Sequence, residues 1–196
     1  MLRGTRRLAV ITVAGVCLFT GCQVTATPTP TPAPSYRCTP EAGGDEFDCT
    51  EKQYQDMVAK DELYAEAEAV YRKFFAEDER ILRAGGISTA TPVLEETTTG
   101  AFLEDSMDYY RSLKKDDSKL VGGQVLLTSL LRVPGASKGG SLVALRACID
   151  ASTAEIQIRG KKAGQGRTGS DLLYFGRVSG QLKIQGADGK EGDTCK

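Results

Sequence analysis

The sequence contains no histidine and no tryptophan among its 196 residues. Without imidazole there is no Ser/His/Asp or Cys/His nucleophilic machinery, no His-ligated metal site and no His proton shuttle or pH switch. An excess of charge of one sign is also missing, because 25 Lys and Arg stand against 26 Asp and Glu. A phosphate-tracking surface needs a basic excess, so nucleic acid is not an expected partner. The apolar run Leu8 to Phe19 (LAVITVAGVCLF) has 12 residues, where a stable membrane span needs about 20. The length allows one domain of ordinary core size with a small appendage.

That apolar run follows Met1 to Arg7, which carries three Arg and no acid, and it closes in Leu18-Phe19-Thr20-Gly21-Cys22. A charged start, an apolar core and a small residue before Cys, in that order, make a secretory signal. The segment resembles the lipobox of bacterial lipoprotein precursors. The resemblance implies that residues 1–21 are removed and that Cys22 becomes the lipid-bearing N-terminus, carrying a diacylglyceryl group with acyl chains such as palmitate. It also implies an anchor in the cell membrane on its extracytoplasmic face. The alternative is a soluble secreted protein in which Cys22 is incidental. Arg6-Arg7 is a paired arginine, but the rest of a twin-arginine signal is absent, so the general secretion route is expected. Cleavage leaves 175 residues, with 22 basic against 26 acidic. Residues 22–37 then read as a tether. Thr25 to Pro34 (TATPTPTPAP) has no charge, and its alternating Pro forbids helix or an internal strand. In polyproline II form those ten residues span roughly 30 Å.

Of six Cys, Cys17 leaves with the signal and Cys22 takes the lipid, so Cys38, Cys49, Cys148 and Cys195 remain. An even set in an oxidising compartment predicts two disulfides. Three connectivities are open. The local pair Cys38–Cys49 closes the Gly- and acid-rich loop 38–49 and leaves Cys148 to hold the C-terminus through Cys195. A thiolate metal site is the rival, but it lacks both C-x-x-C spacing and His. No metal and no cofactor are therefore expected.

Element types segregate along residues 50–196, which read as one α+β domain. Thr50-Glu-Lys-Gln53 is a capping box, and no Pro or Gly follows until Gly85-Gly86, which predicts helix from about Glu51 to Arg83. Tyr54, Met57, Val58, Tyr64, Ala67, Tyr71, Phe74, Phe75, Ile81 and Leu82 recur near helical period, with a drift that allows a break near Asp61. A second helix is expected over Gly100 to Lys115, with a short helical turn at Val93 to Thr97. Past Asp117 the period becomes 2. Val125, Leu127, Leu131 and Val133 are expected on one strand face, and Val143, Leu145, Ala147 and Ile149 on another. A shorter strand carries Ile156 and Ile158. Leu172 to Val178 and Leu182 to Ile184 are joined by a two-residue turn, Ser179-Gly180. RGKKAGQGRTGS, from Arg159 to Ser170, has four Gly and four bases, which predicts a mobile loop.

Helices followed by an antiparallel meander argue for a long N-terminal helix and a second helix packed on a curved sheet of four to five strands. This order resembles the nuclear-transport-factor-2-like, or cystatin-like, cone superfamily. More narrowly it resembles actinobacterial lipoproteins of that superfamily, through YAEAEAVYRKFF (Tyr64 to Phe75), SLVALRACIDAS (Ser141 to Ser152) and the C-terminal Cys195. The superfamily contains isomerases, dehydratases, carriers and inert interaction modules, so the resemblance implies a fold and no particular chemistry.

Five residues are candidates for a pocket: Tyr64, Tyr71, Phe75, Arg146 and Asp150. If the polar strand face lines the cone, Asp150 can act as general base with Tyr64 or Tyr71 donating to an oxyanion, as in ketosteroid-isomerase-like members. If that face meets solvent, Asp150 pairs with Arg146 or caps the turn at Ser152-Thr153. One carboxylate without a second placed acid favours the structural role, so no catalytic residue is assigned. The reading that needs least is a lipid-anchored, non-catalytic extracytoplasmic domain that binds an envelope protein or a wall polymer. A binder of small apolar ligands and an Asp-dependent isomerase or dehydratase are the alternatives.

Overall fold

The chain folds as α+β: among the described residues, a long helix and two shorter ones lie against antiparallel sheet. The structure is a computed structural model and describes residues 35–191, with side chains through 189. These residues fall within one compact unit, Ser35–Lys196. The signal, Cys22, the tether up to residue 34 and Cys195 lie outside the described residues.

Two short strands, β1 (Tyr36–Cys38) and β2 (Phe47–Cys49), pair antiparallel and are stapled by the Cys38–Cys49 disulfide. Helix α1 (Glu51–Ala84) follows directly. The Thr50 hydroxyl accepts from Gln53 N, and the Gln53 side chain accepts from Thr50 N at 2.9 Å, so the expected capping box is formed. No break occurs at Asp61, whose carboxylate instead pairs with Arg132. The helix ends where Gly85 adopts φ 80 and donates back to Ile81 and Leu82. Gly86 (φ 85) is required more strictly, because a Cβ there would lie 2.1 Å from the Tyr110 carbonyl oxygen. Helix α2 (Pro92–Thr97) is a short turn capped by Thr91, and α3 (Gly100–Asp116) completes the helical layer.

The main sheet has four strands: β4 (Leu126–Arg132), β5 (Val143–Asp150), β8 (Thr168–Val178) and β9 (Gln181–Glu191), in the order β4-β5-β8-β9. A separate three-stranded sheet is built from β3 (Ser118–Val121), β6 (Glu155–Ile158) and β7 (Lys161–Gln165), in the order β3-β6-β7. The strand expected around Ile156 and Ile158 therefore belongs to this second sheet. The expected mobile loop 159–170 is corrected as well, because most of it is β7 and the start of β8. Arg159 (φ 52) and Gly160 (φ 72) both take left-handed backbone and close a tight hairpin between β6 and β7. Ser179 (φ 51) and Gly180 (φ 84) do the same between β8 and β9.

The helix-covered face of the main sheet carries the core. Tyr64, Ala67, Tyr71, Phe74 and Ile81 of α1 pack on Val143, Leu145 and Ala147 of β5 and on Leu173 and Phe175 of β8. Each buried Val, Leu, Ile or Phe among them contributes about 1.5–3 kcal/mol by leaving water. The expected face of β4 is partly overturned. A bulge between Leu127 and Ser129 flips the alternation, so Leu127, Leu130 and Arg132 turn toward the helices while Leu131 is 53% exposed.

Candidate functional site

The five residues expected to share a pocket are divided among three places. Asp150 lies at odd spacing from the core residue Ala147 on β5, so strand alternation puts it, with Arg146, on the face away from α1. Its Oδ1 accepts from Ser152 N at 2.9 Å, and hydrogen bonding to Ser152 holds its carboxyl below the usual range. Tyr64 and Tyr71 belong to the opposite, helix-covered side. Pairing of either phenol with Asp150 is thus not realised.

Tyr64 docks the disulfide-closed hairpin loop onto α1. Its hydroxyl donates to Glu41 Oε1 at 2.6 Å, and the Arg132 guanidinium stacks 4.8 Å from its ring centroid. Burial first, then Glu41, pushes this phenol's pKa up.

Tyr71 and Phe75 sit about two and three turns further along, their ring centroids 6.1 Å apart, beside a pair of acids that the sequence reading passed over. Asp78 of α1 accepts a 2.6 Å hydrogen bond from the Tyr110 hydroxyl of α3. Burial pushes Asp78 up to about 6 against the lowering effect of that bond, with Asp171 and Glu79 raising it further. Asp171 stands opposite Ala147 in the β5–β8 register and therefore faces the helices. Its carboxylate makes no hydrogen bond or ion pair among the described residues, and burial raises its pKa. The Tyr71 and Tyr110 phenols are pushed up chiefly by burial, and next by Asp171 and Asp78 for Tyr71 and by Asp78 for Tyr110. Such a group can store a proton or hydrogen-bond a polar atom. Both acids had a signal: Asp78 falls four residues after Phe74 and seven after Tyr71, on the buried stripe, and Asp171 precedes Leu173 and Phe175 on the inward strand face.

The second place with binding geometry is a surface groove of about 630 Å³ around the outer edge of β9. Its helix-side wall is Ala101, Phe102, Asp105 and Ser106 of α3. Its other wall is the 134–140 turn, represented by Lys138 and Gly139, together with Tyr174. Between the walls run Gln185, Gly186 and Ala187 of β9. Gln185 is the extra residue of a bulge opposite Tyr174 and Phe175, and its Nε2 donates to the carbonyls of Lys138 (3.0 Å) and Gly139 (2.9 Å). Lys138 pairs with Asp188, which also accepts from the Tyr174 hydroxyl at 3.0 Å. The wall is thus fixed to the strand it flanks. Among the described residues, no group of acids or thiols is placed to hold a metal ion.

No family model matches the chain, and no curated protein matches it. Among solved structures it is similar to the crystal structure of the intermembrane space region of the chloroplast protein ARC6, with 17% identity, a TM-score of 0.46, and coverage of 64% of this chain and 95% of that one.

Proposed function

We propose that the chain is a lipid-anchored, extracytoplasmic domain that binds an envelope protein or a wall component without chemically altering it. The observation that carries this reading is the groove between α3 and the 134–140 turn, a surface cleft on the edge of the main sheet whose turn wall is hydrogen-bonded to β9. The lipobox-like segment ending in Cys22 supports the anchor, and the Cys38–Cys49 staple suits an oxidising compartment. A photo-crosslinking residue at Ala101, in the groove, tests it in the membrane-anchored protein. One discrete adduct is expected there and none from the same probe at Leu126 on the far edge strand; equal labelling at both positions would reject the reading.

A second reading places a small ligand against Tyr71 and Asp171, because Asp171 is a semi-buried carboxyl without a hydrogen-bond partner among the described residues. Binding of that kind would shift the Asp171 carboxyl resonance and leave the groove probe unaffected.

A further inference from the structure

We infer that the groove takes an extended polypeptide segment, which adds as a further strand to the free edge of β9 and presents a Lys or Arg to Asp105. This inference rests on the binding reading above and names the chemistry of the partner.

β9 is an edge strand: in the order β4-β5-β8-β9 it has a sheet neighbour on one side. In an antiparallel edge strand, alternate residues point their N–H and C=O groups away from the sheet, where they need a partner. At Ile184 the chain itself supplies one. Thr98 forms a parallel bridge to Ile184, and Thr99 N donates to the Ile184 carbonyl at 3.0 Å. This internal strand addition ends at once, because Gly100 (φ 55) turns the backbone into α3. From Gln185 onward no other segment among the described residues pairs with this edge, and that is where the groove begins.

Gly186 fits the same account. It has no left-handed backbone, and a Cβ there would meet nothing nearer than Tyr174 Cδ2 at 3.9 Å. Internal packing therefore does not demand glycine at this point, and a bare strand position leaves room for a second backbone.

α3 flanks the open stretch of β9 on one side and the 134–140 turn on the other. Charge selects the occupant: Lys138 is already paired with Asp188, whereas Asp105 is exposed on the helix wall and makes no ion pair among the described residues. A basic side chain on the incoming strand complements it, and Phe102 and Ala187 line the groove with apolar surface for its other side chains.

The test uses the full mature chain and a displayed library of random twelve-residue peptides, with wall muropeptides as a parallel probe. Selected peptides are expected to alternate in polarity and to carry Lys or Arg. Their binding should slow amide exchange over residues 185–189 at least tenfold. Methylating alternate backbone nitrogens of a selected peptide should abolish binding in one phase of the alternation and not in the other. Ala101→Trp, which fills the groove, and Asp105→Lys should each weaken binding at least tenfold, while Leu126→Ser on the opposite edge leaves it unchanged. Peptides that bind without protecting 185–189, or that tolerate methylation in both phases, overturn the inference. If muropeptides bind and Ala101→Trp blocks them while no peptide is selected, the groove stands as a binding site and the strand-addition inference fails. If neither probe binds, both readings fall.

Discussion

The Tyr110 hydroxyl donates to Asp78 Oδ1 at 2.6 Å, joining α3 to α1 through a carboxyl that burial holds near pKa 6. A raised folded-state pKa means that the native state binds more protons than the unfolded one between about pH 4 and 6. Asp78 therefore favours folding below that window, and its contribution is lost as pH rises through it.

Asp78→Asn is expected to remove this slope. The amide oxygen can still accept from Tyr110, and no charge has to be buried at neutral pH. Urea denaturation of the two proteins between pH 4 and 8 should give curves that diverge as pH rises to 6 and then run parallel. The variant should be more stable above pH 6 by roughly 2 kcal/mol, a figure set by the two-unit shift less the imperfect fit of the amide. Equal pH profiles for the two proteins would contradict a buried, proton-binding Asp78.

Gly86→Ala should be among the most damaging single substitutions. The position combines φ 85 with a Cβ only 2.1 Å from the Tyr110 carbonyl oxygen and 2.8 Å from Lys114 N, so α1 and α3 must separate to admit one methyl. A loss of about 3 kcal/mol or more is expected by thermal or urea unfolding. Gly160→Ala is the control, since its turn is left-handed (φ 72) but open; it should cost about 1 kcal/mol.

Much of the architecture was legible because its signals are local. The Thr50–Gln53 box and the Tyr64, Tyr71, Phe74 stripe define α1, and Ser179-Gly180 defines the β8–β9 turn. β7 was hidden for a physical reason: all its residues except Gly164 are exposed, so no apolar alternation marks it, and Arg159 is a non-glycine residue holding the first left-handed position of its turn. The β4 bulge exchanged Leu131 for Leu130 on the inner face, and a one-residue insertion leaves no trace in an unbroken Leu-rich segment. The groove could not be read at all, since α3, the 134–140 turn and β9 meet only through tertiary packing. Asp78 and Asp171 were readable in principle as acids standing on apolar faces.

The two staples separate by location. Cys38–Cys49 ties β1 to β2, and Cys38 is 2% exposed under the hairpin. Replacing both with Ser should cost about 3 kcal/mol, the chain-entropy value for a loop of this size. Cys148 is buried and disulfide-bonded as well. Peptide mapping without reduction is expected to find it joined to Cys195, which lies outside the described residues. A fragment linking Cys148 to any other cysteine would reject that pairing.

The anchor is decided by mass and by fractionation. Cys22 follows Gly21 at the end of a charged, then apolar segment, and the 12-residue run Leu8 to Phe19 is too short to hold the protein in a bilayer. Stable attachment then requires the lipid, and with two or more acyl chains it outlasts washing where a single chain would not. Intact mass of the mature wild-type protein should therefore correspond to residues 22–196 plus a diacylglyceryl group. Cys22→Ser should abolish that added mass and leave the protein either uncleaved or released into the medium. The folded domain should be unaffected, with the same unfolding midpoint as the wild type, because residue 22 precedes the first stapled strand by more than ten residues. A wild-type protein recovered only from the medium, with no lipid mass, would overturn the anchor and leave a soluble secreted domain.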